Sequence, residues 1–345
     1  MRLTGVSNRS LHYFSSPPPP PISPTLSRDH VPHVTIIRPV KGLEPELYEC
    51  IASTFRQDYP ADKLTIYLCV AEPDDPAYPV LKRIVKDFPQ FDARVFVEAE
   101  DPLLHGADGH VNNLGPNPKI RNISRAYREA KGDIIWIIDC NVWIPRVTTG
   151  HMVDKLIGLG PDGQLVKPYK FVHQIPLVVD ITPELGGRAP SDARIPCLSE
   201  SWLQRLLKHG GGRLDEMFMS TTHAKFYSAI NTVGVAPCIV GKSNMFRKSQ
   251  LDTLTDPSQN PNLPQGRDHP TGIDYFSSYI CEDHLIGDLL WRSKFPASPI
   301  TASFWVILPF SPWIVCLSLL TLLAEFDGFA RASGLCSWQH SLSPA

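Results

Sequence analysis

The chain has 345 residues, enough for one large domain that buries a sizeable core. Its formal net charge is −2, from 33 Lys and Arg against 35 Asp and Glu, so the overall charge does not favour a nucleic-acid partner. The 8 cysteines include no Cys-x-x-Cys pair and no Cys/His cluster at zinc spacing. We interpret them as mostly reduced or buried thiols, and a structural zinc site is not expected.

The N-terminal residues 1–32 differ from the middle of the chain. Two serines followed by prolines at 17–21, together with little apolar periodicity, predict a disordered or extended polyproline segment. This segment contains no signal-peptide hydrophobic stretch.

From residue 33 onward, short apolar runs alternate with helix-period segments. Strands separated by helices of this length predict βαβ units, and hence a mostly parallel α/β sheet flanked by helices. The predicted strands are Val34–Arg38, Leu64–Val70, Ala93–Val97 and 134–138; the predicted helices are Pro45–Gln57, Tyr78–Asp87 and Pro118–Ala130, with a polar loop over 99–118.

The strand 134–138 ends at Asp139, and its short, β-branched and aromatic composition is typical of a central parallel strand. Open α/β sheets bind their ligands at the carboxyl ends of such strands. Taken alone, Asp139 is equally well explained as the cap of a turn.

Two oxygen-rich clusters follow predicted strands, one at Glu72, Asp74 and Asp75 and one at Asp139 and Asn141. The chain has neither a Gly-x-Gly-x-x-Gly dinucleotide fingerprint nor a P-loop. Carboxylates beside a diphosphate would repel it, which favours a bridging Mg²⁺ or Mn²⁺. For Asp74-Asp75-Pro76 alone, a helix-initiating turn is the slightly better explanation.

The second half of the chain adds a further acidic pair. Apolar residues at 280, 285, 286, 289 and 290 predict a helix with Glu282 and Asp283 in its first turn. The helix dipole is a sufficient reason for acidic residues there, although Asp283 is also a candidate base.

The far end of the chain, 299–345, consists of an apolar segment and a tail. The segment Phe304–Ala324 has about the length needed to cross a bilayer, so we expect a transmembrane segment or a re-entrant hairpin. Pro309 and Pro312 weaken this expectation and leave open a buried helix pair or sequence outside the fold.

Several segments, taken in order, resemble the ceramide glucosyltransferases, membrane-bound inverting enzymes with a GT-A fold. The similarity covers roughly 33–294 and favours the fungal branch. The segments that carry it are Arg38-Pro39-Val40-Lys41-Gly42, Tyr67–Val70 with Asp74-Asp75-Pro76, Asn117–Asn122, Trp136–Asp139, Thr221–Tyr227, Val240–Asn244 and Cys281-Glu282-Asp283.

The resemblance implies a role for each matching position. Asp75 would contact the uridine side of the donor, Lys119 would lie in the donor pocket, and Asp283 would be the general base. Asp139 would hold the metal on the donor diphosphate, and Asn141 would add a neutral oxygen ligand. The residues implied to line the acceptor or donor pocket are His223, Lys242, Ser243, Asn244 and Glu282.

The implied function is inverting transfer of glucose from UDP-glucose to the primary hydroxyl of ceramide. The resemblance further implies a Golgi or ER membrane protein whose catalytic domain, 33–298, faces the cytosol. The family's Gln/Arg-x-x-Arg-Trp motif does not occur in this sequence. Two alternatives stay open: a truncated or mis-joined inactive homologue, and a noncatalytic membrane-associated protein that binds a sugar nucleotide or lipid.

Overall fold

A seven-stranded mixed sheet organises the part of the chain that the computed structural model describes, namely 19–105, 114–175, 224–233, 237–261, 263, 270–296 and 298–303. The strand order is β3-β2-β1-β4-β6-β5-β7. The strands are β1 (Val34–Pro39), β2 (Leu64–Val70), β3 (Asp92–Val97), β4 (Ile134–Ile138), β5 (Tyr169–Gln174), β6 (Ser243–Arg247) and β7 (Ser298–Ser303).

The strand directions set which loops meet at which edge of the sheet. Strands β1 to β4 pair in parallel, and β5 pairs in parallel with β7. Strand β6 is antiparallel to both β4 and β5, with Ile138 opposite Ser243. The beginning of β6 therefore lies beside the end of β4, at the edge where the parallel strands end.

Helices cover both faces of the sheet, and alternate residues of β4 enter the two resulting cores. Trp136 and Ile138 pack in one core, whereas Ile135 and Ile137 pack in the other, and all four are buried. The helices are α1 (Leu47–Phe55), α2 (Tyr78–Asp87), α3 (Pro102–His105), α4 (Pro118–Arg128), α5 (Thr148–Ile157), α6 (Ala224–Val233), α7 (Lys248–Thr255) and α8 (Glu282–Arg292).

The strand order reverses between β1 and β4. The chain moves outward from β1 through β2 to β3 and then returns to place β4 on the other side of β1. In open α/β sheets such a switch point opens a crevice at the carboxyl ends of the strands. Asp139, the residue after β4, lies at this switch point.

The N-terminal segment differs in part from its prediction. Around Ile22 and Ser23 it packs on α5, where their backbone N–H groups donate to the Asp154 carboxylate at 2.6 and 2.7 Å, whereas residues 27–30 are exposed. Val31 is buried in the core as well. The proline content predicted an extended segment. Composition cannot reveal that backbone N–H groups of this segment pair with a carboxylate that is distant in sequence.

The folded unit also extends past the predicted boundary at 298, since Ser298–Ser303 forms β7 at the edge of the sheet. Pro299 is tolerated there because an edge strand leaves one row of backbone groups unpaired. Within the described residues, no helix has the length and apolar character that a membrane span requires. The predicted apolar segment Phe304–Ala324 lies outside the described residues.

Most predicted element bounds agree with the structure to within two residues. Strands β2 and β4 and helix α2 have their predicted bounds, and α8 begins at Glu282. The predicted loop 99–118 contains the short helix α3 where it is described, and 106–113 lie outside the described residues.

Candidate functional site

The loop before β6 and the residue after β4 are joined by a backbone hydrogen bond. The N–H of Asp139 donates to the carbonyl of Lys242 at 3.0 Å. The Lys242 ammonium also lies 3.0 Å from Asp139 Oδ2. Two positions about a hundred residues apart in sequence are thus held side by side by the antiparallel pairing of β4 and β6.

Lys119, in the first turn of α4, is the centre of the acidic cluster. Its Nζ lies 3.2 Å from Asp139 Oδ1 and 3.1 Å from Glu282 Oε1, and it donates to the carbonyl of Gly241 at 3.3 Å. The ammonium thus forms ion pairs with two carboxylates and one hydrogen bond to a backbone carbonyl. Asp283 Oδ1 is farther away, at 3.9 Å, beyond hydrogen-bond length.

Asn117 fixes α4 and α8 relative to each other. Its side-chain oxygen caps α4 by accepting from the backbone N–H groups of Lys119 and Ile120, at 2.9 and 3.2 Å. Its amide nitrogen donates to the Tyr279 carbonyl at 2.6 Å and to Glu282 Oε2 at 3.0 Å. One side chain therefore sets the distance between the helix that carries Lys119 and the helix that carries the acidic pair.

The two neighbouring carboxyl groups of α8 have opposite pKa shifts. Burial raises the pKa of Asp283 to about 6, and the Glu282 carboxylate adds to the increase while Lys119 opposes it. Burial also acts to raise the pKa of Glu282, but Lys119 and the hydrogen bond from Asn117 lower it below the ordinary value. Carboxyl groups whose environments separate their pKa values in this way are typical of acid–base sites, with Asp283 as the group that takes up a proton near neutral pH.

The pKa of Lys119 also reflects this balance. Burial acts to lower it, but Asp139, Glu282 and Asp283 together raise it above the ordinary lysine value. Lys119 is therefore ammonium throughout the physiological range, and the cluster has a permanent positive centre.

A narrow cavity of about 10 Å³ lies beneath the cluster, with room for about one water molecule. Lys119, Asn244, Glu282 and Asp283 form its polar side, and Ile137 with other apolar side chains forms its floor. This apolar floor is the physical reason for the desolvation of Asp283.

Gly241 makes room for the Asp283 carboxylate. A Cβ atom at position 241 would stand 2.0 Å from Asp283 Oδ2, closer than any real contact, so only glycine lets the carboxylate take this position. The requirement comes from close approach, because Gly241 is not among the residues with positive φ.

The oxygens proposed to hold a cation converge on a positive charge in the structure. Asn141 Oδ1 lies 3.4 Å from Lys242 Nζ, the same atom that contacts Asp139 Oδ2. One carboxylate and one amide are the hard oxygen donors that Mg²⁺ and Mn²⁺ accept, so the pair fits a cation that draws its remaining ligands from substrate oxygens. The described part of the chain holds no group of three or more His, Cys, Asp or Glu side chains able to bind a metal without such help.

Asp75 lies in a neighbouring loop, after β2, and has backbone partners. Its carboxylate accepts from the N–H of Gly42 at 3.0 and 3.1 Å and from the N–H of Ala77 at 2.8 Å. A turn does precede α2, but Asp75 does not cap the helix and Pro76 is not its first residue, because the helix begins at Tyr78 after Ala77. The Asp75 carboxylate instead holds the loop after β1 through Gly42. No ion pair joins Asp75 to the Lys119 cluster among the described residues.

The remaining predicted pocket residues fall into three groups. Ser243 is buried beneath the site, where its hydroxyl accepts from Trp136 Nε1 at 3.0 Å and donates to Gln174 Oε1 at 2.9 Å, so its role is in the sheet. Asn244 lines the small cavity. His223 lies outside the described residues.

The sequence did not indicate Asn117 as a site residue, and Gly241 was expected only as part of the segment Gly241–Asn244 that the resemblance implies to line the pocket. The Asn-Pro pair at 117 and 118 is a recognisable helix start, with the asparagine as cap and the proline in the first turn. The second bond of Asn117, to Glu282, spans 165 positions and leaves no local signal.

The chain is similar to a recognised family and to curated fungal proteins. The family model for glycosyl transferase family 21 matches residues 23–172. "Ceramide glucosyltransferase" from Pyricularia oryzae is 64% identical over 82% of this chain and 54% of its own length. The protein of the same name from Gibberella zeae is 55% identical over 88% of this chain and 58% of its own length. The chain thus spans somewhat more than half the length of these relatives.

Among solved structures, the match to a mannosyltransferase from Pyrobaculum calidifontis covers 90% of this chain and 66% of the mannosyltransferase chain, with 16% sequence identity and a TM-score of 0.42. That score is too low to support an argument about ligands or mechanism.

Proposed function

Because two fungal relatives are 64% and 55% identical over 82% and 88% of this chain, it belongs to glycosyl transferase family 21, and we propose that it transfers glucose from UDP-glucose to the primary hydroxyl of ceramide, with inversion at the anomeric carbon. The names of its relatives, at 64% and 55% identity, support ceramide as the acceptor. We further propose that the sheet described above is a GT-A fold, with the donor bound at the switch point after β4.

The observation that carries the proposal is the cluster at this sheet edge, where the desolvated Asp283 carboxyl group lies near the Lys119 ammonium and two ammonium groups contact Asp139. Asp283 has a pKa of about 6, so it is ionised at neutral pH and still able to accept a proton. Lys119 and Lys242 approach Asp139 from two sides, at 3.2 and 3.0 Å. A base beside fixed positive charge is the arrangement that an inverting sugar transfer to an alcohol requires.

Asp283 acts on the attacking hydroxyl, and Lys119 and Lys242 act on the leaving diphosphate. The ceramide hydroxyl oxygen attacks the anomeric carbon while its proton passes to the Asp283 carboxylate, and the bond from that carbon to the UDP oxygen breaks. Negative charge then develops on the departing diphosphate, which Lys119 and Lys242 stabilise. Asp75 would contact the uridine side of the donor from the loop after β2, as the family resemblance implies.

We include a divalent cation, Mg²⁺ or Mn²⁺, in the proposal, with Asp139 and Asn141 as its protein ligands. When bound together with the donor, it would supply charge stabilisation for the leaving UDP. Lys242 contacts both ligands and balances the charge of Asp139 in this arrangement of the site.

The direct test is transfer of labelled glucose from UDP-glucose to ceramide, in membranes that contain the full chain. Asp283→Asn removes the proton acceptor and should lower kcat by about 10²- to 10⁴-fold. Asp288→Asn is the matched control, because Asp288 lies on the same helix and pairs with Arg292 instead. Undiminished turnover in Asp283→Asn would refute the assignment of the base.

The same assay separates the proposed enzyme from a noncatalytic protein. If the unaltered chain binds UDP but transfers no glucose, a sugar-nucleotide-binding protein without activity becomes the better description. If it also binds no UDP, the donor site proposed at β4 is wrong.

We also propose that the protein is attached to a Golgi or ER membrane, with this domain on the cytosolic side. Residues Asn122-Ile123-Ser124 form a glycosylation sequon. It does not test that topology, because Asn122 is buried and its amide donates to the Cys69 carbonyl at 3.0 Å. Protease accessibility of the domain in sealed microsomes is the suitable measurement. Protection from external protease would contradict the cytosolic orientation.

A further inference from the structure

Arg38, near the end of β1, is a fully buried arginine, and none of its hydrogen bonds to the described residues involves a carboxylate. Its side chain has no solvent exposure, and its guanidinium donates to Thr54 Oγ1 at 3.1 Å. Its remaining bonds go to the carbonyl oxygens of Cys140 at 3.1 Å and Val142 at 2.9 Å. A buried charge without a paired counter-charge is costly, so its presence calls for a specific benefit elsewhere.

The two carbonyls that Arg38 binds stand on either side of Asn141. They belong to the loop that leaves β4 directly after Asp139, and the N–H of Val142 bonds back to the Asp139 carbonyl at 3.2 Å. Both carbonyls accept from the same atom, Nη2, while Nη1 donates to Thr54, so the three partners together fix the plane of the guanidinium. Arg38 thus fixes the direction in which Asp139 and Asn141 leave the sheet.

Helix α1 and the residues just after it supply further polar groups to this loop. The N–H of Ile144 donates to Ser53 Oγ at 3.1 Å, and Gln57 Nε2 donates to the Pro145 carbonyl at 2.9 Å. We define Arg38, Ser53, Thr54 and Gln57 as the buried polar network. Each member is buried, and apart from Thr54, which binds Arg38, each bonds directly to the loop backbone.

We propose that Arg38 is a positioning residue for the donor site: by clamping the carbonyls of Cys140 and Val142, it aims Asp139 and Asn141 at the diphosphate of the donor. This inference rests on the proposed function for the identity of the ligand, but the clamp itself concerns only the chain. Arg38 also adds a buried positive charge near Asp139. Burial lowers its pKa to about 10, and Asp139 and the nearby thiols act to raise it. The guanidinium therefore stays charged at neutral pH.

The test compares three variants of the full chain in detergent: Arg38→Met, which removes the clamp; Arg38→Lys, which keeps the charge but loses the planar fork; and Tyr59→Phe. The last is the stability control, because it removes a buried hydrogen bond of 2.7 Å to the Pro32 carbonyl, outside the network. Calorimetric titration with UDP and MgCl₂ gives the affinity, and hydrogen exchange followed by mass spectrometry gives the order of the 140–144 amides.

We expect UDP affinity to fall by roughly 10- to 100-fold in Arg38→Met, the range seen when a supporting residue behind a ligand is removed. Arg38→Lys should recover part of that loss, while Tyr59→Phe should leave the affinity within about threefold of the unaltered chain. Exchange at 140–144 should accelerate in the Arg38 variants more than in the rest of the sheet. If Arg38→Met does not fold, the comparison of Arg38→Lys with Tyr59→Phe decides.

Two outcomes would overturn the positioning role: unchanged UDP affinity in a folded Arg38 variant, or acceleration of exchange spread evenly over the domain. The second would show that Arg38 contributes only to global stability. Failure of the proposed function is distinguishable, because then the unaltered chain itself would bind no UDP. The exchange measurement would still report whether Arg38 holds the loop.

Discussion

The acidic loop after β2 and the acidic cluster around Lys119 lie at the same edge of the sheet but compensate their charge differently. At Asp75 the compensation comes from backbone N–H groups of Gly42 and Ala77, which cannot leave without unfolding the loops. Around Lys119 it comes from side-chain ammonium groups. An anionic ligand or a cation can displace an ammonium group from a carboxylate. Carboxylates compensated by side chains are therefore suited to ligand binding and catalysis, whereas a carboxylate compensated by backbone N–H groups mainly holds its loop in place.

Replacing the Lys119 ammonium should have the largest effect on activity. In Lys119→Met, Asp139, Glu282 and Asp283 lose their shared cation, and we expect kcat to fall by about 10²- to 10³-fold, as for removal of a preorganised charge. The pKa of Asp283 should also rise, since Lys119 lowers it. The acidic limb of the pH–rate profile should therefore move to higher pH.

Lys86→Met makes the same substitution on an exposed face of α2 and is the control for general effects of lost charge. A pH–rate profile of Lys119→Met that superimposes on that of the unaltered chain would contradict the central role of Lys119.

Displacing the carboxylate without altering its chemistry should have the next largest effect. Gly241→Ala places a Cβ atom 2.0 Å from Asp283 Oδ2, so the carboxylate must move by an ångström or more. We expect roughly 10- to 100-fold lower kcat, because displacements of this size disturb the geometry of proton transfer. Gly160→Ala is the control, since its Cβ would first meet the flexible side chain of Gln164. Equal kcat values for the two variants would contradict the placement of Asp283.

The desolvated Asp283 carboxyl group should also make the free energy of unfolding depend on pH. The folded-state pKa of Asp283, about 6, exceeds the ordinary value of 3.8, so the folded state binds this proton more tightly. The resulting stabilisation is complete below about pH 4 and is lost as the pH rises through 6. Asp283→Asn removes a charge that destabilises the fold at high pH. The change in the free energy of unfolding caused by this substitution should therefore be about 1–3 kcal/mol more stabilising at pH 8 than at pH 4.

Urea denaturation at pH 4 and pH 8 measures this difference. Glu282 should behave in the opposite sense, because its pKa is lowered and its contribution is lost as the pH falls. An effect of Asp283→Asn that is the same at both pH values would show that Asp283 is not desolvated.

The smallest effect is expected at Asp75. Asp75→Asn keeps one acceptor oxygen for the backbone N–H groups, so the free energy of unfolding should fall by only about 1 kcal/mol. UDP affinity should fall by less than about tenfold, whereas Asp139→Asn should cost more because it also weakens two ammonium contacts. A larger loss of UDP affinity in Asp75→Asn than in Asp139→Asn would reverse the roles of the two strand ends.

The sequence predicted what depends on local patterns. The strand before Asp139 and the acidic first turn at Glu282 and Asp283 follow from composition and period, and both are present as predicted. The approach of Lys242 to Asp139 was not predictable in this way, because it depends on the antiparallel direction of β6. The same holds for the Asp75 bond to Gly42 and for the Arg38 clamp, in which side chains satisfy backbone groups 33 and 102 positions away.

The docking of the N-terminal segment on α5 through Ile22 and Ser23 has a consequence for synthesis. The contact of Ile22 with Asp154 spans 132 positions, so the segment leaves the ribosome long before its carboxylate partner exists. At 5–20 residues per second, the delay is roughly 7 to 26 seconds. During that interval the strands β1 to β4 can pair, so the segment attaches only after these four strands have been made, although β5, β6 and β7 are still to follow.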